Sequence, residues 1–239
     1  MPLLVLFDVD GTLFLTHDVL SGQALRETLE AHFGADLPED AVERVPHAGQ
    51  TSLKIARLVL HDAGLDDHAL DDHALEAGLR DWCPEFAARY LELLGHADTS
   101  AWEAAPGAVA ALSRLQAAGL RLALWTGNPE PMARARMKLL GLDGYFPEGQ
   151  GAFGCDSESR SELLDLARER AGGWPAAETV AVGDTVRDVE AARATGIRSI
   201  AVRPEGSDDG FPGADAVCGG LDEASSRLLA WAGSPADRG

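Results

Sequence analysis

The apolar residues of this chain fall into short runs, and most of these runs end in a polar turn. Residues 2–7 form a continuous apolar run that ends at Asp8, which is typical of a parallel strand buried on both faces. Further runs cover residues 120–125, 179–182 and 197–202, with weaker ones at 151–153 and 214–217. They alternate with segments of helical period, most of which stop at a glycine. This alternation predicts an α/β fold with a doubly wound, Rossmann-like parallel sheet.

One long segment after the first strand carries no comparable strand pattern. Its helical spacing predicts helices at residues 22–33, 51–63 and 74–94, the last broken near Pro84. We therefore predict an inserted α-helical second domain. The predicted boundaries are 16–98 for this insert, 1–15 and 99–233 for the α/β core domain, and 234–239 for a flexible tail.

A short repeat lies inside the helical segment. Residues 66–70 and 71–75 both read Asp-Asp-His-Ala-Leu. Asp and His side chains can bind metal ions, but this period matches neither a helix nor a strand and does not bring the two histidines onto one face. We interpret the repeat as a solvated acidic loop or helix start.

The charge of the chain narrows the range of its partners. Its 239 residues include 20 Lys and Arg against 39 Asp and Glu, a formal net charge of −19. This charge disfavours nucleic acid and anionic membrane surfaces as partners. An anionic ligand would need local cations or a metal ion in order to bind.

The cysteines and the first apolar run indicate in which cellular compartment the protein is found. Cys83, Cys155 and Cys218 are odd in number and far apart, which favours reduced, buried thiols over a disulfide framework. The first apolar run is too short for a signal peptide or a membrane span. We therefore expect a cytoplasmic protein without a nucleic-acid or membrane partner, present as a monomer or a weak homodimer.

Polar residues with metal- and phosphate-binding chemistry follow three of the predicted strands. They are Asp8 and Asp10 after the first strand, Thr126, Gly127 and Asn128 after the second, and Asp184 and Asp188 after the strand at 179–182. Ligands of open parallel sheets bind outside the carboxyl ends of the strands. Carboxylates that converge there repel one another unless a hard cation neutralises them. An all-oxygen site favours Mg²⁺, which can also bridge a phosphate.

Each of these aspartates also suits an ordinary turn or a helix cap. Asp10 and Gly11 form a common turn dipeptide, and Asp184 and Asp188 flank a predicted helix start. That explanation covers any one of them. It does not explain why three separate strand ends carry the same chemistry, so we favour a metal site that could bind an anionic ester.

The motifs resemble those of the haloacid dehalogenase superfamily. Residues 8–13, Asp-Val-Asp-Gly-Thr-Leu, resemble the first motif, residues 126–128, Thr-Gly-Asn, the second, and Gly183-Asp184-Thr185 with Asp188 the fourth. The helical insert resembles the C1-type cap of phosphoglycolate phosphatase-like members. The resemblance implies a Mg²⁺-dependent phosphatase, a phosphoric monoester hydrolase, that acts through an aspartyl-phosphate.

The resemblance also implies catalytic and metal-binding roles for the aspartates. Asp8 would be the nucleophile, and Asp10 the general acid and then the general base. Asp8, the backbone carbonyl of Asp10, and Asp184 would hold Mg²⁺. Asp188 would be a further ligand or a partner of the ligands.

Phosphate binding involves the one motif that departs from the pattern. Members carry a lysine at a helix start between the second and fourth motifs, but Lys138 is the last lysine here. Arg160, which opens a predicted helix, is the nearest substitute, and we predict that it serves as a catalytic and phosphate-binding cation. The alternative is an ordinary surface arginine. The resemblance assigns the remaining phosphoryl contacts to the Thr126 hydroxyl and the N–H groups of Gly127 and Asn128.

Substrate choice would fall to the cap. The candidate contacts are His17, His47, Gln50, Thr51 and Lys54. Two alternatives to a phosphatase stay open. A phosphomutase of the beta-phosphoglucomutase type uses the same aspartates, whereas a non-catalytic binding module would be expected to have lost Asp8 or Asp10.

Overall fold

Five parallel strands form the centre of the chain in a computed structural model that describes residues 2–65, 72–203 and 210–233. The strands are β1 (Leu4–Phe7), β2 (Arg121–Leu124), β3 (Thr179–Gly183), β4 (Arg198–Val202) and β5 (Ala216–Cys218). Their order across the sheet is β2-β1-β3-β4-β5. The predicted α/β fold with a doubly wound parallel sheet is therefore confirmed.

Helices connect these strands, and most of them cover the two faces of the sheet. They are α1 (Val19–Phe33), α2 (Ser52–Asp62), α3 (Asp72–His96), α4 (Ala108–Ala117), α5 (Glu130–Leu139), α6 (Arg160–Arg170), α7 (Val186–Ala194) and α8 (Leu221–Gly233). Alternate residues of β1 point to opposite faces, as the pleat of a strand requires. Leu4 and Leu6 pack with residues of α6 and α7, whereas Val5 and Phe7 pack with residues of α4 and α8.

The long helix α3 runs through Pro84, so the predicted break at this residue is wrong. A proline inside a helix removes one backbone hydrogen bond and crowds the preceding turn. Here the apolar residues on either side of it, Trp82 and Phe86, are deeply buried. Trp82 stacks on Phe86 with ring centroids 5.0 Å apart, and the Trp82 indole N–H donates to Thr28 Oγ1 of α1 at 2.9 Å. This packing keeps α3 continuous.

Helices α1, α2 and α3 form a separate layer with an apolar cluster of their own. Leu29, Leu53 and Phe86, one from each helix, belong to this cluster. Met132 of α5 belongs to it as well, so the layer is seated on a helix of the α/β part. The division into a cap at residues 16–98 and a core at 1–15 and 99–233 stays a prediction.

A disulfide between Cys83 and Cys155 corrects the expectation of three reduced thiols. Cys83 lies in α3 and Cys155 in the loop before α6, with their Cα atoms 5.9 Å apart. The two cysteines are 72 positions apart in the sequence, so their spacing gives no sign that the helical layer packs against this loop. Only Cys218 is a free cysteine, and it is buried. The predicted cytoplasmic location, which rested partly on reduced thiols, stays a prediction.

Three further expectations concern smaller features. The weak strand at 151–153 is reduced to a single parallel bridge between Trp125 and Ala152. Most of the repeat at 66–75 and all of the tail at 234–239 lie outside the described residues. No described helix has both the length and the apolar character that a membrane crossing requires.

Candidate active site

The carboxyl ends of β2, β1 and β3 lie side by side, which brings the three polar motifs to one edge of the sheet. Asp8 directly follows β1, Thr126 follows β2, and Asp184 directly follows β3. The strand order reverses between β1 and β3, which is where open α/β sheets bind ligands. A pocket of about 700 Å³ lies here, lined by residues of the sheet edge and of the helical layer.

Three carboxylates form an acidic cluster at the base of this pocket, and two of them, Asp8 and Asp184, line it. One oxygen from each of Asp8, Asp184 and Asp188 lies within 4.8 Å of the other two. Burial raises the pKa of Asp8 well above its usual value, and burial together with the nearby Asp188 raises the pKa of Asp184 to about 7. An all-oxygen donor set whose charges repel one another fits Mg²⁺. The side chain of Asp10 lies outside this cluster.

The turn after β1 is shaped to accept the Asp184 side chain. Gly11 has a φ of 74°, and a Cβ atom at this position would overlap the Asp184 carboxylate. The Thr12 hydroxyl donates to Asp184 Oδ1 at 3.3 Å. The glycine and the threonine of the first motif therefore hold the aspartate of the fourth.

Both carboxylate oxygens of Asp188 accept hydrogen bonds from neighbouring groups. Its Oδ2 accepts from the backbone N–H of Thr185 at 2.9 Å and from the Thr185 hydroxyl at 2.8 Å, which forms a capping box at the start of α7. Its Oδ1 accepts from Arg160. These contacts favour a role in orienting the ligands over direct metal binding.

Arg160 is buried beside the carboxylates rather than on the surface. Its Nη2 lies 3.3 Å from Asp8 Oδ2 and also pairs with Asp188. The guanidinium lies 4.3 Å from the centre of the Trp125 ring, whose N–H donates to the Arg160 carbonyl at 3.2 Å. Arg160 Nε is buried and has no hydrogen-bond partner among the described residues. The site thus holds one cation in contact with Asp8 and one unused buried donor.

The second motif lies under the helical layer. Thr126 is fully buried, and its hydroxyl oxygen accepts from Asn128 Nδ2 at 3.1 Å. The Gly127 carbonyl accepts from the backbone N–H of Ser52 at 2.8 Å and from the Ser52 hydroxyl at 2.9 Å. A Cβ atom on Gly127 would overlap the Gln50 carbonyl. The start of α2 is therefore packed directly on this motif.

The Asp10 carboxylate pairs with Arg136, a buried arginine that the sequence analysis missed. This half-exposed carboxylate accepts from Arg136 Nη1 and also from Asn128 Nδ2. Arg136 is 1% exposed although it lies in a helix rich in charged residues. The sequence does contain a signal for its burial, since Arg136 lies three residues after Ala133 and four after Met132, on the apolar stripe of α5.

The five residues predicted to contact the substrate divide into those that line the pocket and those that do not. His17, His47 and Gln50 line the pocket, and His47 Nε2 lies 2.7 Å from the Val42 carbonyl oxygen. Thr51 instead caps α2 by accepting from the Lys54 N–H, and Lys54 Nζ lies 3.9 Å from a Glu158 oxygen. Neither Thr51 nor Lys54 is among the described residues that line the pocket.

The family of the chain follows from its sequence. Residues 3–196 match the haloacid dehalogenase-like hydrolase family. This match spans most of the molecule and includes every motif at the edge of the sheet. The chain therefore belongs to the haloacid dehalogenase-like hydrolase family, and the prediction of a hydrolase of this kind is confirmed.

Individual relatives differ in what they do. The chain is 32% identical over 202 residues to a phosphoglycolate phosphatase of Rhodospirillum rubrum, covering 82% of this chain and 78% of that protein. It is also 32% identical over 208 residues to tyrosine-protein kinase PtkA of Mycobacterium tuberculosis, covering 84% and 62%. The structure of CbbY from Rhodobacter sphaeroides in complex with phosphate has a TM-score of 0.63 at 21% identity, covering 93% and 96%, and shows the same fold.

Proposed function

We propose that the chain is a Mg²⁺-dependent phosphatase that hydrolyses a small-molecule phosphomonoester through an aspartyl-phosphate on Asp8. The observation that carries this proposal is the convergence of Asp8, Asp184 and Asp188 within 4.8 Å. Asp8 and Asp184 line a pocket that Arg160 also lines. The identity to a phosphoglycolate phosphatase supports the same class of activity. In this proposal the layer α1–α3 is a C1-type cap that covers the pocket.

Two aspartates would carry the covalent chemistry. An Asp8 oxygen attacks phosphorus in line, the bond from phosphorus to the ester oxygen breaks, and Asp10 gives its proton to that oxygen. Asp10 then takes a proton from the water molecule that attacks the phosphorus of the aspartyl-phosphate. This second displacement releases inorganic phosphate and restores the Asp8 carboxylate.

The remaining polar groups would bind the phosphoryl oxygens. The Thr126 hydroxyl and the N–H groups of Gly127 and Asn128, which follow β2, would donate to these oxygens. The buried Arg160 would add positive charge beside Asp8. Mg²⁺, held by Asp8, Asp184 and the backbone carbonyl of Asp10, would neutralise charge on the phosphoryl group. Asp188 would keep Arg160 and the start of α7 in place.

The test is a panel of phosphomonoesters assayed for phosphate release with Mg²⁺ and with EDTA. The panel contains the matched pair phosphoglycolate and 2-hydroxyethyl phosphate, which differ in one carboxylate. The described cap residues that line the pocket include Glu43 but no Lys or Arg, so we expect the uncharged member to be the better substrate.

The panel also separates the alternatives. Mg²⁺-dependent release from at least one ester supports the proposal. Isomerisation of a sugar phosphate without net release would support a phosphomutase instead. ATP-dependent labelling of tyrosine without ester hydrolysis would indicate the activity that the PtkA relative is named for, and inactivity throughout would indicate a binding module.

A further inference from the structure

A single buried arginine joins the cap helices to Asp10. Arg136 Nη1 donates to Asp10 Oδ1 at 2.9 Å and to Oδ2 at 3.2 Å. Its Nη2 donates to Asp18 Oδ2 at 2.7 Å, and its Nε to the Tyr90 hydroxyl at 3.0 Å. Asp18 is the N-cap of α1 and Tyr90 lies in α3. One guanidinium therefore contacts the first motif and two helices of the cap.

The cap side of this cluster is fixed by further contacts. The Tyr90 hydroxyl donates to Asp18 Oδ2 at 2.6 Å, and Asp18 Oδ1 accepts from the Leu20 N–H at 2.9 Å. The Arg136 guanidinium also lies over the Phe14 ring, 5.3 Å from its centre. A planar cation held at each of its nitrogens in this way has one favourable orientation. The guanidinium is therefore a rigid support.

The Asp10 carboxylate, by contrast, has few partners of its own. Its side chain is 52% exposed toward the pocket. Among the described residues, Arg136 and Asn128 donate hydrogen bonds to it. A carboxyl group that must point at one ester oxygen needs such a fixed partner, because small errors in the position of a catalytic group are costly.

We propose that Arg136 is a positioning residue that orients the Asp10 carboxyl group toward the leaving-group oxygen. Through Asp18 and Tyr90, this orientation depends on the seating of α1 and α3 on the core. The inference rests on the proposed phosphatase activity, in which the Asp10 proton passes to the ester oxygen as phosphorus passes to Asp8. Arg136 acts through Asp10 and not on phosphorus itself.

The test compares two aryl esters that differ in one nitro group, phenyl phosphate and 4-nitrophenyl phosphate. Nitrophenolate leaves readily without a proton, whereas phenolate depends on the general acid. Arg136→Gln should lower kcat/KM for phenyl phosphate by about 100-fold. It should lower kcat/KM for 4-nitrophenyl phosphate by only about 10-fold. Tyr90→Phe, which removes one hydroxyl from the cap side, should shift the ratio of the two rates in the same direction by a smaller factor.

Arg134→Gln is the matched control, because it removes an arginine from the same helix without touching Asp10. Arg134 binds Glu130 and the Phe146 carbonyl, so the rate ratio should stay at its wild-type value. The ratio is measured within one preparation and does not depend on the folded fraction, which keeps it informative if a variant is destabilised.

The outcomes for the two proposals are distinct. An active wild type with an unchanged ratio in both Arg136→Gln and Tyr90→Phe would overturn the positioning role alone. A wild type that hydrolyses neither ester would overturn the proposed phosphatase, and this inference with it. A shifted ratio in both variants, with none in Arg134→Gln, supports the inference.

Discussion

The guanidinium of Arg160 lies flat over the indole of Trp125, 4.3 Å from the ring centre. A planar, weakly hydrated cation suits such a face better than the compact ammonium of a lysine. The same group reaches both Asp8 and Asp188 through one nitrogen. The aromatic residue at the end of β2 therefore gives a physical reason for an arginine at this helix start.

Removing this cation should cost activity. We expect Arg160→Ala to lower kcat/KM by at least about 100-fold, because it removes the positive charge beside the nucleophile. Arg160→Lys should recover only part of the lost activity, because a lysine cannot both stack on Trp125 and contact the two carboxylates. Steady-state kinetics on one ester measure both variants. Near-normal kinetics for Arg160→Ala would show that another group supplies the charge.

Asp184 should make the stability of the metal-free protein depend on pH. Its pKa is about 7 in the folded state, against a usual value of 3.8. Between these values the folded protein binds more protons than the unfolded chain, so the free energy of unfolding falls as the pH rises. The Tm in EDTA should therefore fall more steeply between about pH 4 and about pH 7 for the wild type than for Asp184→Asn.

Added Mg²⁺ should change the Tm of the wild type more than that of Asp184→Asn. The ion binds the ionised carboxylates of the folded state, so it should raise the wild-type Tm, and more so at the upper end of this pH range. Asp184→Asn should lose most of that increase. Equal pH slopes and equal Mg²⁺ responses in the two proteins would contradict the assignment of Asp184.

The disulfide between Cys83 and Cys155 joins helix α3 to the loop that leads into α6. That loop ends at Ser159, the N-cap of the helix that begins with Arg160. The covalent link thus holds α3 close to the start of the helix that carries Arg160. A cross-link over this sequence separation also restricts the unfolded chain.

Breaking this link should destabilise the protein. We expect Cys83→Ser to lower the free energy of unfolding by about 2–4 kcal/mol, measured by denaturant unfolding without reductant. Dithiothreitol should lower the stability of the wild type and leave that of the variant unchanged. Three free thiols in the unreduced, denatured wild type would contradict the disulfide.

Most elements were predictable because each signal is local. The apolar run before Asp8 and the glycine stops of the helices are contained in a few neighbouring residues. The continuity of α3 through Pro84 was not predictable in this way, because it depends on packing against α1. The disulfide likewise joins residues that only the tertiary fold brings together.

At the scale of the whole molecule, the meeting of three motifs at one sheet edge was predictable, since parallel strands share the direction of their carboxyl ends. The strand order confirms that β2, β1 and β3 are neighbours. The part played by Arg136 was not predictable, because its partners Asp10, Asp18 and Tyr90 come from three separate parts of the chain. Charge pairing of this kind has no signature in sequence spacing.

The most direct test of the central claim is phosphate release from 4-nitrophenyl phosphate by the wild type and by Asp8→Asn, each with Mg²⁺ and with EDTA. We predict turnover by the wild type with Mg²⁺ alone, and background rates in the other three cases, because Asp8→Asn removes the nucleophile and a metal ligand together. The Tm of the variant confirms that it is folded. Substantial Mg²⁺-dependent turnover by Asp8→Asn, or undiminished wild-type turnover in EDTA, would contradict the account.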